Sequence, residues 1–439
     1  LMIADGAGYN SFLAYSYYHD GEWGKLTQQG FPVQTSVTTW ALESKDDGGK
    51  DPAGEPRFEG YRPSQNWKSL DAMSEPGKHS VTTDSAAAAS ALFTGVKTVN
   101  GRIAKTADGK KDLKTIAEIA AEKEKATGSI STVETCHATP GTVDAHNESR
   151  NNYGEIFSEM VYKSDLDVIM GAGDPNSIPA KKPTYTYVDK EKVWKDITDE
   201  DGAAGFTFIQ TPEQFSKLAE ASKNDALPGK VLGIAKANKT VGDARRDAEA
   251  NNRESDVPNL ATMSLAALNV LDRDPDGFFL MIEGGAIDWA NHSNLLEDIL
   301  DEAEDFQQAV DAVVLWIEKN SNWDETLLII TADHETGRIW GPGSYTDVDG
   351  DGKYDPKVDR FEAIKPLVNN GKGNMPGYMY TSGDHSNQLV PLWAKGVGSE
   401  LFNQYQRGVD PQAAEAWGVS GKYIDNTDIF KVMKQVIAP

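Results

Sequence analysis

Residues 278–294 read FFLMIEGGAIDWANHSN. An apolar run of strand length delivers Glu283, two glycines turn the chain, and Asp288 and His292 follow at a spacing of four. If the segment after the glycines is helical, that spacing puts a carboxylate and an imidazole on one face. The pair suits zinc, which accepts both oxygen and nitrogen ligands. A solvated Asp/His pair is the competing reading, and the strand-glycine-helix context weighs against it by aiming both groups at one place.

The same strand-then-helix rhythm extends in both directions. Before it come the strand-like LMIADG (1–6), a helix candidate from Leu113 to Lys125, TGSISTVE (127–134), LDVIMGAG (166–173), a helix candidate from Pro212 to Lys223, VLGIA (231–235) and a helix candidate from Asn259 to Asp272. After it come a long helix from Asn294 to Asn320, the strands TLLIITADH (326–334) and LVPLWAKG (389–396), and a helix from Asp428 to Ile437. Such alternation predicts an α/β fold with a mostly parallel central sheet flanked by helices on both faces. Two stretches rich in Gly, Pro and charge, about 44–76 and 337–380, read as inserted surface loops, because patterning resumes on either side. The whole of 1–439 reads as one domain, with no solenoid-length repeat.

With 439 residues, 39% hydrophobic, and 10 Trp, 15 Tyr and 14 Phe, the chain can bury a large core. No apolar run approaches the ~20 residues that span a bilayer. The net charge of −25, from 68 acidic and 43 basic residues, argues against nucleic acid or an anionic membrane as partner. Any anionic substrate must therefore be held by local positive charge, from bound metal ions or a committed Arg. The acid excess fits a salt-adapted surface and an ordinary acidic protein equally well. One cysteine, Cys136, cannot form an intramolecular disulfide and decides nothing about compartment. The chain opens at Leu1 inside a strand-like run without a starting Met, which predicts residues upstream.

Further polar groups stand where strands end, the place open α/β sheets put ligands. LMIADG presents Asp5 at a strand tip before a glycine, which alone reads as a turn residue. In HSVTTDSAAAASALFTG (79–95), Ser85 opens an alanine-rich helix, where backbone N–H groups favour phosphate; a plain N-cap serine is the other reading. TLLIITADHETG ends in the adjacent pair Asp333 and His334, which can share one ion only if the strand end turns. His385 precedes another apolar strand, a place where a lone His is usually structural. STVETCHATP supplies His137 and Thr139, and AHNESRNN supplies Arg150. Thr can ligate a hard cation such as magnesium, and Arg can clamp two phosphate oxygens in a fixed fork.

In order, DG at 5–6, TDSA at 83–86, HATP at 137–140, the following SR at 149–150, EGGAID at 283–288 with His292 four on, ADH at 332–334 and the late His385 resemble the alkaline phosphatase family from first motif to last. That resemblance implies the family's α/β fold and hydrolysis of small phosphate monoesters by a Ser85 nucleophile through a phosphoserine. It implies one zinc held by Asp288, His292 and His385, and a second by Asp5, Asp333 and His334 with Ser85. Asp5 would bridge to a magnesium that also takes Thr139 and Glu283, and Arg150 would bind phosphate. A periplasmic or secreted location and a homodimer are the corresponding expectations.

Departures from the pattern are informative. His137 stands where many bacterial members have Asp, an arrangement resembling animal and some marine bacterial enzymes, and a neutral imidazole there weakens the magnesium site. Trp289 replaces a Lys or His that contacts phosphate through water, which predicts easier phosphate release. Sulfatase relatives need a Pro and an Arg after the nucleophile that TDSAAAAS lacks. Phosphodiesterase relatives usually carry a Thr nucleophile and lack the magnesium ligands; such a phosphodiesterase, and a non-catalytic phosphate- or metal-binding protein, are the rival readings. Finally, DVDGDGKYD puts Asp347, Asp349, Asp351, Lys353 and Asp355 at positions 1, 3, 5, 7 and 9 of a calcium-loop pattern with Gly352 at position 6. Position 12 is Val358 rather than Glu, so a structural calcium ion depends on Asp359 reaching round. A solvated acidic loop is the alternative.

Overall fold

The computed structural model describes residues 1–43, 60–67, 81–177, 182–199, 202–250, 255–350, 355 and 357–438. Its centre is an eleven-stranded sheet. From one edge to the other the strands are Gly408–Val409, Lys422–Asp425, Val33–Thr38, Val390–Gly396, Leu327–Thr331, Met2–Ala4, Phe278–Gly284, Ala126–Glu134, Val168–Ala172, Val231–Ile234 and Thr207–Ile209. Pairing is parallel without interruption from Leu327–Thr331 to Thr207–Ile209. Val390–Gly396 runs antiparallel to both its neighbours.

The central strands are buried on both faces because helices cover both. Met2–Ala4, Ala126–Glu134 and Val168–Ala172 are buried at every position. One helical group joins Leu260–Leu271 to Leu296–Asn320 and Pro212–Ala219; another joins Asn426–Ile437 to Ser85–Thr94 and Ile116–Ala121. No helix among the described residues is long and apolar enough to cross a membrane.

Helix ends differ from the sequence reading where side chains cap them. The helix expected over 113–125 occupies only Ile116–Ala121, because Thr115 and Glu118 form a capping box at its start and Glu124 takes a left-handed φ of 57° just past its end. Pro212–Ala219 stops four residues short of the expected Lys223. Asn294, expected to open the long helix, has φ 58° and separates the short helix Ala286–His292 from Leu296–Asn320. The last helix starts at Asn426, capped by Asp425, so Asp428 lies in its first turn.

Parts of the two Gly- and Pro-rich stretches pack on each other. Trp67 lies 5.7 Å from Trp340 and 5.1 Å from Trp417 between ring centroids. Tyr61 Oη and Trp67 Nε1 both donate to Asp410 Oδ2, at 2.7 and 2.9 Å. In the second stretch, Asp351 and Lys353 lie outside the described residues. Asp347 and Asp349 come together with Asp359, one carboxylate oxygen of each lying within 4.8 Å of the others. Asp359 also accepts the N–H groups of Val348 and Asp355, both at 2.8 Å, while Asp355 turns its own carboxylate to the N–H of Lys357.

Candidate active site

Four parallel neighbours, Leu327–Thr331, Met2–Ala4, Phe278–Gly284 and Ala126–Glu134, release their chains at their shared C-terminal end, with Ile3 in register with both Glu283 and Thr331. That registration brings Asp5, Glu283 and Asp333 together. Asp5 is fully buried and neither carboxylate oxygen has a hydrogen-bond partner. Burial raises its pKa well above the ordinary value, and the charges of Asp333, Asp288 and Glu283 raise it further. Gly6 makes the crowding possible: its φ is 70°, and a Cβ there would lie 2.7 Å from the Asp288 Cα. Its N–H donates to Asp333 Oδ1 at 3.1 Å. Burial also lifts Asp333 to about 6 and Glu283 to about 7. The Ser131 hydroxyl donates to one oxygen of Glu283. Glu283 Oε1, Asp333 Oδ2 and Thr139 Oγ1 are buried without a hydrogen bond of ordinary geometry.

The three imidazoles share one design. His292 Nδ1 lies 2.6 Å from the Gly383 carbonyl, His385 Nδ1 2.8 Å from the Thr83 carbonyl, and His334 Nδ1 3.2 Å from Thr336 Oγ1. Each Nε2 is thereby aimed at carboxylates. His292 Nε2 is 3.4 Å from Asp288 Oδ2, and His385 Nε2 is 3.4 Å from Asp288 Oδ1 and 3.0 Å from His292 Nε2. His334 Nε2 is 3.2 Å from Asp333 Oδ2 and 3.5 Å from Asp5 Oδ1. A ring fixed at one nitrogen with the other free to ligate is the usual arrangement around a metal. Two sets, Asp5/Asp333/His334 and Asp288/His334/His385, keep their ligand atoms within 4.8 Å. His334 therefore stands between the two groups predicted from sequence, its ring stacked 3.6 Å from that of His385.

Ser85 is the first residue of Ser85–Thr94, but the cap is Asp84, whose Oδ1 accepts the Ala87 N–H at 2.9 Å. The serine side chain is left free for the site, its Oγ 3.2 Å from His334 Nε2. Arg150 is held by Asp84 Oδ2 at 3.1 Å and reaches His137 Nε2 at 3.2 Å. Burial, then the Arg150 charge, push His137 down to about 3, so its ring is neutral. Its ring and that of Trp289 meet nearly perpendicular, 5.7 Å between centroids.

Asp5, Glu283, Asp288 and Asp333 are all buried around one point. Uncompensated buried carboxylates are costly, and Arg150 is committed to Asp84, so the donor set calls for cations. Carboxylate and imidazole together suit zinc; the all-oxygen set Asp5, Thr139 and Glu283 suits a harder ion.

A profile of alkaline phosphatases matches residues 65–438. The chain belongs to the alkaline phosphatase family. Membership makes it a phosphatase. Alkaline phosphatase 4 of Bacillus subtilis is 35% identical over 403 residues, covering 80% of this chain and 77% of that one. Alkaline phosphatase of Escherichia coli K12 is 28% identical across 100% of this chain and 85% of its own length. Alkaline phosphatase 3 of B. subtilis is 37% identical over 268 residues, a match that spans about half of that relative, 49%. Among solved structures, the cold-active alkaline phosphatase of a Shewanella species superposes with a TM-score of 0.65 at 22% identity, over 100% of this chain and 99% of that one. The alkaline phosphatase fold is thus shared throughout.

Within this alkaline phosphatase framework, sequence reasoning missed the residues that hold others in place. Asp84 caps the serine helix and anchors Arg150; an Asp before an alanine-rich run is itself a capping signal. Thr336, which donates to Asp288 Oδ1 at 2.6 Å, and Ser131 carried no recognisable signal.

Proposed function

We propose that the protein hydrolyses phosphate monoesters through a phosphoserine at Ser85, in a site that binds two zinc ions and one magnesium ion. The observation that carries this reading is Ser85 Oγ 3.2 Å from His334 Nε2, inside a ring of buried carboxylates. Asp288, His292 and His385 would hold one zinc, Asp5, Asp333 and His334 with Ser85 the other, and Asp5, Thr139 and Glu283 the magnesium. Bound, these ions would supply the positive charge for phosphoryl oxygens and leaving alkoxide and a source of hydroxide near neutral pH. Arg150 forks onto two phosphate oxygens, and its pairing with Asp84 fixes the fork before substrate arrives. The Ser85 oxygen attacks phosphorus in line as the bond to the alcohol oxygen breaks; water then cleaves the serine–phosphorus bond and regenerates the hydroxyl. Neutral His137 orients Arg150 without competing for phosphate charge, and Trp289 offers no charge of its own to the phosphate.

The reading extends to a single-domain, periplasmic or secreted enzyme that forms a homodimer and binds neither nucleic acid nor membrane, and to a structural calcium ion at Asp347, Asp349 and Asp359. Turnover of an aryl phosphate tests the function. Chelation should abolish it, zinc with magnesium should restore it better than either alone, and the rate should climb toward alkaline pH. Full recovery with magnesium alone contradicts the zinc sites. Calcium uptake equal in wild type and an Asp347→Ala/Asp349→Ala variant contradicts the calcium site.

A further inference from the structure

Glu335 is a buried carboxylate beside the catalytic cluster that takes no part in it. We propose that Glu335 is a positioning residue for zinc, its carboxylate tying together the chain segments that carry His334, His385 and Asp5. This rests on the assignment of those three residues as zinc ligands. The two-residue strand Glu335–Thr336 pairs antiparallel with His385–Ser386, Ser386 facing Glu335 and His385 facing Thr336. So short a ladder is marginal by itself. Glu335 reinforces it: the Ser386 hydroxyl donates to Oε2, and the Arg338 N–H donates to Oε1 at 2.7 Å. Its stem lies on Gly8, where a Cβ would come within 2.3 Å of Glu335 Cγ. Gly8 caps the helix Tyr9–His19, three residues beyond Asp5, so only glycine lets that turn close on the clamp. The backbone adds Thr336 N–H to Gly6 O at 3.0 Å. Glu335, itself next to His334, thus contacts Ser386, next to His385, and Gly8, three residues beyond Asp5, and both its oxygens are satisfied, as a buried carboxylate requires.

Zinc affinity, read by competition with a chromophoric chelator, and the rise in Tm that zinc produces over the stripped protein test this role. Glu335→Ala and Ser386→Ala should weaken zinc binding about 10- to 100-fold, the usual effect of removing a group that supports metal ligands, and should shrink the zinc-dependent rise in Tm. Glu335→Gln keeps an oxygen for the Arg338 N–H and a hydrogen bond to Ser386, and should bind zinc nearly as wild type does. Ser386→Ala removes one hydroxyl, so the test survives if Glu335→Ala does not fold. A wild-type chain that binds no zinc would remove the ligand assignment itself. Wild-type protein that binds zinc, with both alanine variants binding it equally tightly and losing the same Tm with and without zinc, would overturn the positioning role.

Discussion

Ser85 Oγ and His334 Nε2 lie 3.2 Å apart, although 249 residues separate them in the chain. The contact puts the hydroxyl at the opening of one helix against an imidazole delivered by the end of a central strand. The same imidazole nitrogen faces Asp333 and Asp5. In the proposed site the hydroxyl would contribute one oxygen among several stronger ligands. Ser85→Ala should therefore cut turnover by orders of magnitude while zinc content holds. Trapping with labelled phosphate, followed by peptide mass spectrometry, checks it; near-wild-type turnover with no labelled peptide would remove Ser85 as nucleophile.

His137 is neutral and touches Arg150. His137→Asp introduces an anion close to the magnesium ligands and a new partner for Arg150. Magnesium should then activate at lower concentration, and phosphate should bind less tightly through the partly neutralised Arg150. Magnesium titration of activity, together with the inhibition constant for inorganic phosphate, reads both effects; unchanged values would place His137 outside the magnesium environment.

Zinc stabilisation should grow with pH. Glu283 is raised from the ordinary 4.5 to about 7 and Asp333 from 3.8 to about 6. The metal-free fold thus holds more protons than the unfolded chain between those values, and its stability falls as pH rises through that window. Zinc must displace the proton of Asp333, and magnesium that of Glu283, so each ion binds better as its proton leaves. The difference in Tm between zinc-loaded and chelated protein should widen from pH 5 to pH 7. A constant difference would mean Asp333 does not face the zinc.

Gly6→Ala tests the convergence of carboxylates. A left-handed φ of 70° costs a non-glycine residue about 1–3 kcal/mol, and the methyl would also press on Asp288. Both stability and zinc affinity should fall, read by denaturant unfolding and chelator competition. A variant as stable as wild type would show that the turn can relax without disturbing Asp5.

The strand tips were legible because each apolar run ends directly in a polar residue followed closely by glycine, as with Asp5–Gly6 and Glu283–Gly284. Once parallel strands are inferred, those tips must meet at one end of the sheet. The Asp288/His292 pair was legible from helical spacing. What escaped was non-periodic. Thr115 and the left-handed Glu124 shorten a helix that composition alone would extend. Two-residue strands such as Glu335–Thr336 have no pattern to read, and the contacts of Trp67 with Trp340 and Trp417 join segments hundreds of residues apart. Asp84 was overlooked because its neighbour Ser85 drew the chemistry.

Where zinc binds decides between these readings most directly. Diffraction data collected on either side of the zinc edge, from crystals grown with zinc, magnesium and phosphate, should show two anomalous peaks. One should lie among Asp288, His292 and His385, the other among Asp5, Asp333 and His334, with phosphate between them and Arg150 on its oxygens. A single peak, or peaks away from these residues, would contradict the two-zinc phosphatase site.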